Sequence, residues 1–188
     1  PMFPLKGELT TSPNDMRTPG YTVTDEQGHA GYYRANVNGD VLAELTVAER
    51  SGMGRFTFPE DAQRGTVIIG SGLASTRIFQ AAVCMTDDSH FEGYATGGSF
   101  CGESYPTPYK VYIAGEFNRP SVKRGIWRKD EVIPGSNFVE GPNSGFWFTF
   151  DANKEKTLLY RFAISYVSIE NTKENLKADN LDWNFNDV

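Results

Sequence analysis

Five glutamates, Glu44, Glu49, Glu92, Glu103 and Glu116, lie on or beside strand-like runs of this chain. Paired carboxylates are what glycoside hydrolysis requires, one acid to protonate the leaving oxygen and one base to activate water, roughly 5 to 10 Å apart. Sequence spacing does not fix that distance in a β protein, so none of the five is assigned. Four aromatics, Trp127, Trp147, Tyr105 and Tyr109, fall out of step with the apolar faces or within a loop. Rings placed this way either stack on a sugar or pack on a neighbouring element, and both readings stay open. Cys84 and Cys101 are a candidate disulfide if the chain is exported and their strands adjoin, and otherwise two buried thiols. They make no zinc site, because His29 and His90 stand apart from any Cys-x-x-Cys spacing. Asp151-Ala152-Asn153-Lys154-Glu155 opens like a calcium loop but lacks its glycine and distal glutamate, and reads as a turn between strands. The signatures of a nucleophile elbow, a zinc protease helix and a phosphate loop are absent. Gly70-Ser71-Gly72 follows a strand but opens no convincing helix.

Sheets must position any such residues. Thirteen Phe, nine Tyr and three Trp beside nineteen Gly and ten Pro suit many strands joined by tight turns. Tyr160, Phe162, Ile164 and Tyr166 alternate with Arg161, Ala163, Ser165 and Val167, the period of a half-buried strand. The period then breaks at Ser168, a helix N-cap with Glu170 in the first turn, and a short helix is expected from Ile169 to Ala178. Earlier, residues 1 to 30 read as mostly irregular apart from a short strand at Tyr21 to Thr24. A strand opens at Gly31-Tyr32-Tyr33, turns at Asn38-Gly39-Asp40 and returns over Val41 to Glu49. On the return strand Glu44 and Thr46 fall on a wet or partner-facing side. Ser51-Gly52-Met53-Gly54 reads as a break, and Arg55-Phe56-Thr57-Phe58 as a short strand closed by Pro59. Thr66 to Gly70 has the β-branched run of a central strand. Strands follow at Thr76 to Met85, His90 to Tyr94, Tyr109 to Phe117 and, as a charged edge, Val122 to Val132. Phe146, Phe148 and Phe150 then point one way and Trp147 and Thr149 the other. Ten to twelve strands at this spacing predict one all-β domain, an antiparallel sandwich.

The net charge of -6 is spread throughout, and the one basic cluster, Lys123, Arg124, Arg128 and Lys129, runs straight into Asp130 and Glu131. That is no surface for a nucleic-acid backbone. No apolar run approaches the ~20 residues of a membrane-spanning helix, and the chain reads as soluble. It begins at Pro1 without an initiator Met, so we read a fragment or a processed form.

Several motifs together resemble the N-terminal domain of glycoside hydrolase family 92, the calcium-dependent exo-acting α-mannosidases. They are Gly31-Tyr32-Tyr33, Ala43-Glu44-Leu45-Thr46 leading to Arg55-Phe56-Thr57-Phe58-Pro59, Gly97-Gly98-Ser99-Phe100-Cys101 ahead of Val111-Tyr112, Glu116-Phe117-Asn118-Arg119-Pro120 and Gly125-Ile126-Trp127. Most specific are Ile164 to Asn171, Asn175-Leu176 and Trp183-Asn184-Phe185. Each is weak alone, and their order and spacing carry the resemblance through most of the chain.

The resemblance implies a large β-sandwich of the supersandwich, galactose-mutarotase-like type, packed on a separate (α/α)6 barrel with the sugar cleft between them. Residues 1–168 would be the sandwich, truncated at its N-terminus, and 169–188 the start of a helical linker. Leu176, Leu181, Trp183 and Phe185 are then expected to pack on the sandwich or on the barrel. The reaction implied is inverting hydrolysis of terminal α-mannosides, as in an α-1,2-mannosidase, with calcium as cofactor. Its acid, base and metal ligands would lie on the barrel beyond Val188, and a sugar-binding Gly-Asn-Thr-Phe-Pro-Gly-like loop would precede Pro1. No catalytic, metal or sugar-binding residue is therefore carried over, and the segment alone is expected to be inactive. Mannose-containing glycans are the implied partners, and a secreted, periplasmic or cell-surface location the implied setting. The rival reading is a free-standing carbohydrate-binding or structural β-sandwich.

Overall fold

Alternation along two strands builds the core. Strand β13 (Ser144–Asp151) sends Phe146, Phe148 and Phe150 inward, where Leu158, Tyr160 and Phe162 of β14 (Thr157–Ser165) meet them. The computed structural model describes residues 2–14, 20–70, 77–98, 108–179 and 182–188. Among these, β1 (Met2–Lys6), β6 (Arg64–Gly70), β13, β10 (Lys123–Arg128) and β11 (Glu131–Pro134) pair in that order as a five-stranded antiparallel sheet. A nine-stranded antiparallel sheet faces it. Its order is β12 (Phe138–Glu140), β7 (Arg77–Met85), β8 (His90–Gly98), β9 (Tyr109–Phe117), β14, β5 (Ser51–Thr57), β4 (Val41–Val47), β3 (Tyr32–Val37) and β2 (Val23–His29). Phe117 joins the two layers, its ring centroid 5.2 Å from Phe148, 4.9 Å from Phe150 and 6.1 Å from Tyr160. Aromatic groups at these separations add to the area they bury.

The all-β sandwich expected from the sequence is the observed fold, and the one α-helix among the described residues, α1 (Ile169–Ala178), has the expected bounds. Its cap forms as read: the Asn171 backbone N–H donates to Ser168 Oγ at 3.0 Å. Asn38 and Gly39 turn the β3–β4 hairpin at positive φ, 54° and 73°. Three local expectations fail, and one strand went unread. The first 30 residues hold two strands, β1 and a β2 longer than expected, because a proline such as Pro4 is tolerated on an edge strand whose other side needs no donor. The break expected at Ser51 to Gly54 is the opening of β5. Gly54 belongs in that strand because the Tyr160 ring lies flat against it, in the space a Cβ would take. The charged edge expected over Val122 to Val132 is two strands: β10 is interior, between β13 and β11, with its charges at its ends and Gly125, Ile126 and Trp127 buried, and only the start of β11 lies at the edge of the sheet. The short β12, with exposed residues on either side of Val139, was too brief for a periodic signal.

The five-stranded sheet carries a second apolar layer on its outer face. Trp127 lies over Gly145 and Trp147 over Gly125, each on its register partner. With Ile68 they form a buried cluster against Phe3, Leu5, Leu9 and Val132.

Candidate functional site

The outer face of the nine-stranded sheet holds the densest set of chemically able side chains. Register places His90, Glu116, Arg161, Met53, Thr46, Tyr32 and His29 in one row across seven strands. Glu116 accepts from Arg161 Nε at 2.7 Å on Oε1, and its Oε2 lies 3.0 Å from His90 Nε2. His90 Nδ1 in turn lies 2.9 Å from Asp87. Burial works to raise the Asp87 pKa, but hydrogen bonds from the Ser89 and His90 backbone and side chains outweigh it and hold the carboxyl well below its ordinary range. Beside this row, Glu92 pairs with Lys173 of α1 at 2.6 Å. Together they line a groove of about 630 Å³ that includes Ala114, Gly115 and Leu176.

A second centre lies two strands further on. Arg55 forks onto Glu44, Nε to Oε2 at 2.7 Å and Nη2 to Oε1 at 2.8 Å, and the Tyr32 hydroxyl donates to Oε1 at 2.9 Å. The guanidinium hydrogen bonds are the main reason the Glu44 pKa is lowered despite its burial. Glu44 is only 8% exposed. It therefore occupies the partner-facing side expected of it, and the partner is the end of the chain. After α1, Asp179 ties down the start of β5 by accepting from Arg50 N at 3.0 Å and Ser51 Oγ at 2.6 Å. Trp183 then lies 4.6 Å from the Arg161 guanidinium and Phe185 4.3 Å from that of Arg55. Phe185 is buried on Met53, Tyr32 and Leu159, so the apolar tail packs on the sandwich, one of the two surfaces expected for it. Leu181 lies outside the described residues.

The carboxylates of these groups are paired, Glu116 with Arg161, Glu92 with Lys173 and Glu44 with Arg55. Glu92 and Glu116 are diagonal neighbours across β8 and β9. Each is held by a cation. Glu44 and Glu116 stand three strand spacings apart, roughly 14 Å, too far to share one sugar. Glu49 pairs with Arg50 at 2.9 Å, and Glu103 lies outside the described residues. Among the described residues no three His, Cys, Asp or Glu side chains converge as metal ligands.

Of the four aromatic candidates, Trp127 and Trp147 are corrected: 0% and 5% exposed, they have no face free for a sugar. Their departure from the apolar alternation reflects the second apolar layer. Tyr109 is 40% exposed, its ring 6.5 Å from that of Tyr166. Tyr105 lies outside the described residues. Cys84 is a half-buried free thiol whose pKa is raised by burial and by Glu92, and its candidate partner Cys101 lies outside the described residues. The sequence reading missed the Arg55–Glu44 and Arg161–Glu116 pairs. Alternation set Glu44 and Arg161 on the face opposite the apolar one, but only strand order brings Arg55 and Glu116 opposite them.

Two packed antiparallel sheets with a helical strap across the larger define a β-sandwich domain. Residues 1–165 match the family model described as the glycosyl hydrolase family 92 N-terminal domain. The chain belongs to that family. Among solved structures, it superposes on the family GH92 α-mannosidase BT3965 from Bacteroides thetaiotaomicron with a TM-score of 0.80 at 24% identity, covering 100% of this chain and 26% of that one. It superposes on the family GH92 inverting mannosidase BT2199 from Bacteroides thetaiotaomicron VPI-5482 with a TM-score of 0.81 at 18% identity, covering 98% and 24%. The GH92 family glycosyl hydrolase ccman5 gives 0.80 at 20% identity, covering 97% and 26%. The chain thus spans about a quarter of the length of these enzymes. No curated protein matches it.

Proposed function

We propose that this chain is the N-terminal sandwich of an enzyme that hydrolyses terminal α-mannosides with inversion, and that it docks the catalytic domain and helps to close the sugar cleft. The observation that carries this reading is the family match over residues 1–165. The docking surface is the strapped outer face of the nine-stranded sheet and the apolar corner where β14 hands over to α1. There Tyr166 and Val167 are 68% and 72% exposed beside Tyr109 and Ile164, a patch suited to burial against another surface. Residues 169–188 would lead from one domain to the other. A calcium requirement of the whole enzyme is part of this reading.

Hydrolysis needs an acid and a base at one sugar, and the carboxylates described above are held apart or neutralised. The chain alone should leave aryl α-mannosides and mannobiose intact, with or without calcium. A polypeptide carrying both domains should cleave them with inversion and lose that activity to a chelator. Calcium-dependent turnover by residues 1–188 would refute this division of labour. A two-domain protein that is inactive and indifferent to calcium would favour a binding module instead.

A further inference from the structure

Helix α1 lies on the larger sheet with little burial of its own: of its ten residues only Thr172 is buried. What holds its C-terminal end is a carboxylate. Asp179, the residue that closes the helix, accepts from Ser51 Oγ at 2.6 Å and from the Arg50 backbone N–H at 3.0 Å, where the chain enters β5. A negative charge at this end opposes the helix dipole, whose C-terminus favours cations, so what keeps Asp179 in place is the sheet and not the helix. Further along, Trp183 and Phe185 lie against the guanidiniums of Arg161 and Arg55, which pair in turn with Glu116 and Glu44. We propose that Asp179 is the latch of an acid-released strap: protonation of its carboxyl frees the end of α1 and residues 182–188 from the larger sheet while the two sheets stay folded.

The surroundings give the latch its direction. Arg50 is the charged group that faces Asp179, its guanidinium paired with Glu49 at 2.9 Å, and Lys177 stands in the last turn of α1. The bond from the Ser51 hydroxyl outweighs desolvation and, with the Arg50 N–H and charge, holds the Asp179 pKa below its ordinary value. A carboxyl lowered in this way contributes stability that is fully present above its unfolded value, about 3.9, and is lost as pH falls through the folded value. Release is therefore set below about pH 4. Segments that open while the rest of a protein stays folded are those with few buried apolar contacts. That describes the strap, whose one deeply buried ring is Phe185, and not the aromatic core between the sheets.

The test is fluorine NMR of the chain labelled with 5-fluorotryptophan, with one resonance for each of Trp127, Trp147 and Trp183. As pH is lowered from 7 to 3, the Trp183 resonance should move to the position of a solvated indole below about pH 4. Trp127 and Trp147, buried on the other sheet, should keep their folded shifts. Asp179→Asn keeps the size of the side chain without its charge; it should flatten that step and speed hydrogen exchange of the last α1 turn about tenfold at pH 7, with an unchanged melting midpoint. Ser51→Ala removes the main bond that lowers the carboxyl's pKa, so release should move to higher pH. A Trp183 resonance that stays in place at pH 3, or three resonances that move together, would overturn the proposal. A step that survives Asp179→Asn unchanged would assign release to the Glu44 pair and overturn it too. Because the readout is the strap on this chain, the outcome is independent of the mannosidase reading.

Discussion

Glu44 shows how one residue joins the sheet to the strap above it. Its carboxylate accepts from Arg55 and Tyr32, and Phe185 covers the same guanidinium. A carboxyl whose folded pKa is lowered contributes stability that is fully present above its unfolded value near 4.3 and is lost as pH falls through the folded value. Urea titrations between pH 7 and 3 should therefore show a wild-type decline below about pH 4 that is shallower in Glu44→Gln. Equal slopes would mean the pair is not coupled to folding. Gly54 gives a second prediction. A methyl there would enter the Tyr160 ring, and that tyrosine is too buried to move aside. Gly54→Ala should destabilise by about 1–3 kcal/mol in urea unfolding, and an unchanged midpoint would mean that the ring yields. Neither role was legible from sequence, because both arise from cross-strand register and not from neighbours along the chain.

Elements whose signals are local were legible in advance. Helix α1 begins where Ser168 caps it and spans the residues read from the sequence, and Thr172 adds a bond from its hydroxyl to the Ser168 carbonyl at 2.8 Å. Ser168→Ala should cost about 1 kcal/mol, visible as faster hydrogen exchange of the helix amides. No change there would mean packing on β9 and β14 outweighs the cap. The strands β6, β9 and β13 were also plain, since alternation or a β-branched run marks them without reference to a partner. Signals misled where tertiary context supplied the reason: glycines inside β5 lie under rings of β14, and charges at the ends of β10 hid an interior strand. The candidate site was legible only as types of residue on one face. Which carboxylate meets which cation follows from a strand order of β8-β9-β14-β5-β4 that skips along the sequence.

At the scale of the molecule, the phenylalanines of β13 touch both layers, so the two sheets share the main core. Unfolding should be one event. Far-ultraviolet circular dichroism, which reports all strands, and tryptophan fluorescence, dominated by Trp127 and Trp147 of the five-stranded sheet, should give coincident denaturation curves. Separate midpoints would show two independent layers. The last strand of the larger sheet bears on self-association. Strand β2 is exposed along its whole length, an open ladder on which another chain could add itself. It breaks register between Thr24 and Gln27, where Asp25 takes a φ of 55° and Glu26 adds a second negative charge. A kinked, acidic rim repels a like rim and offers no straight template, so the irregularity guards against self-association and fibril growth. A flat, uncharged β2 would leave the fold intact and make the protein sticky.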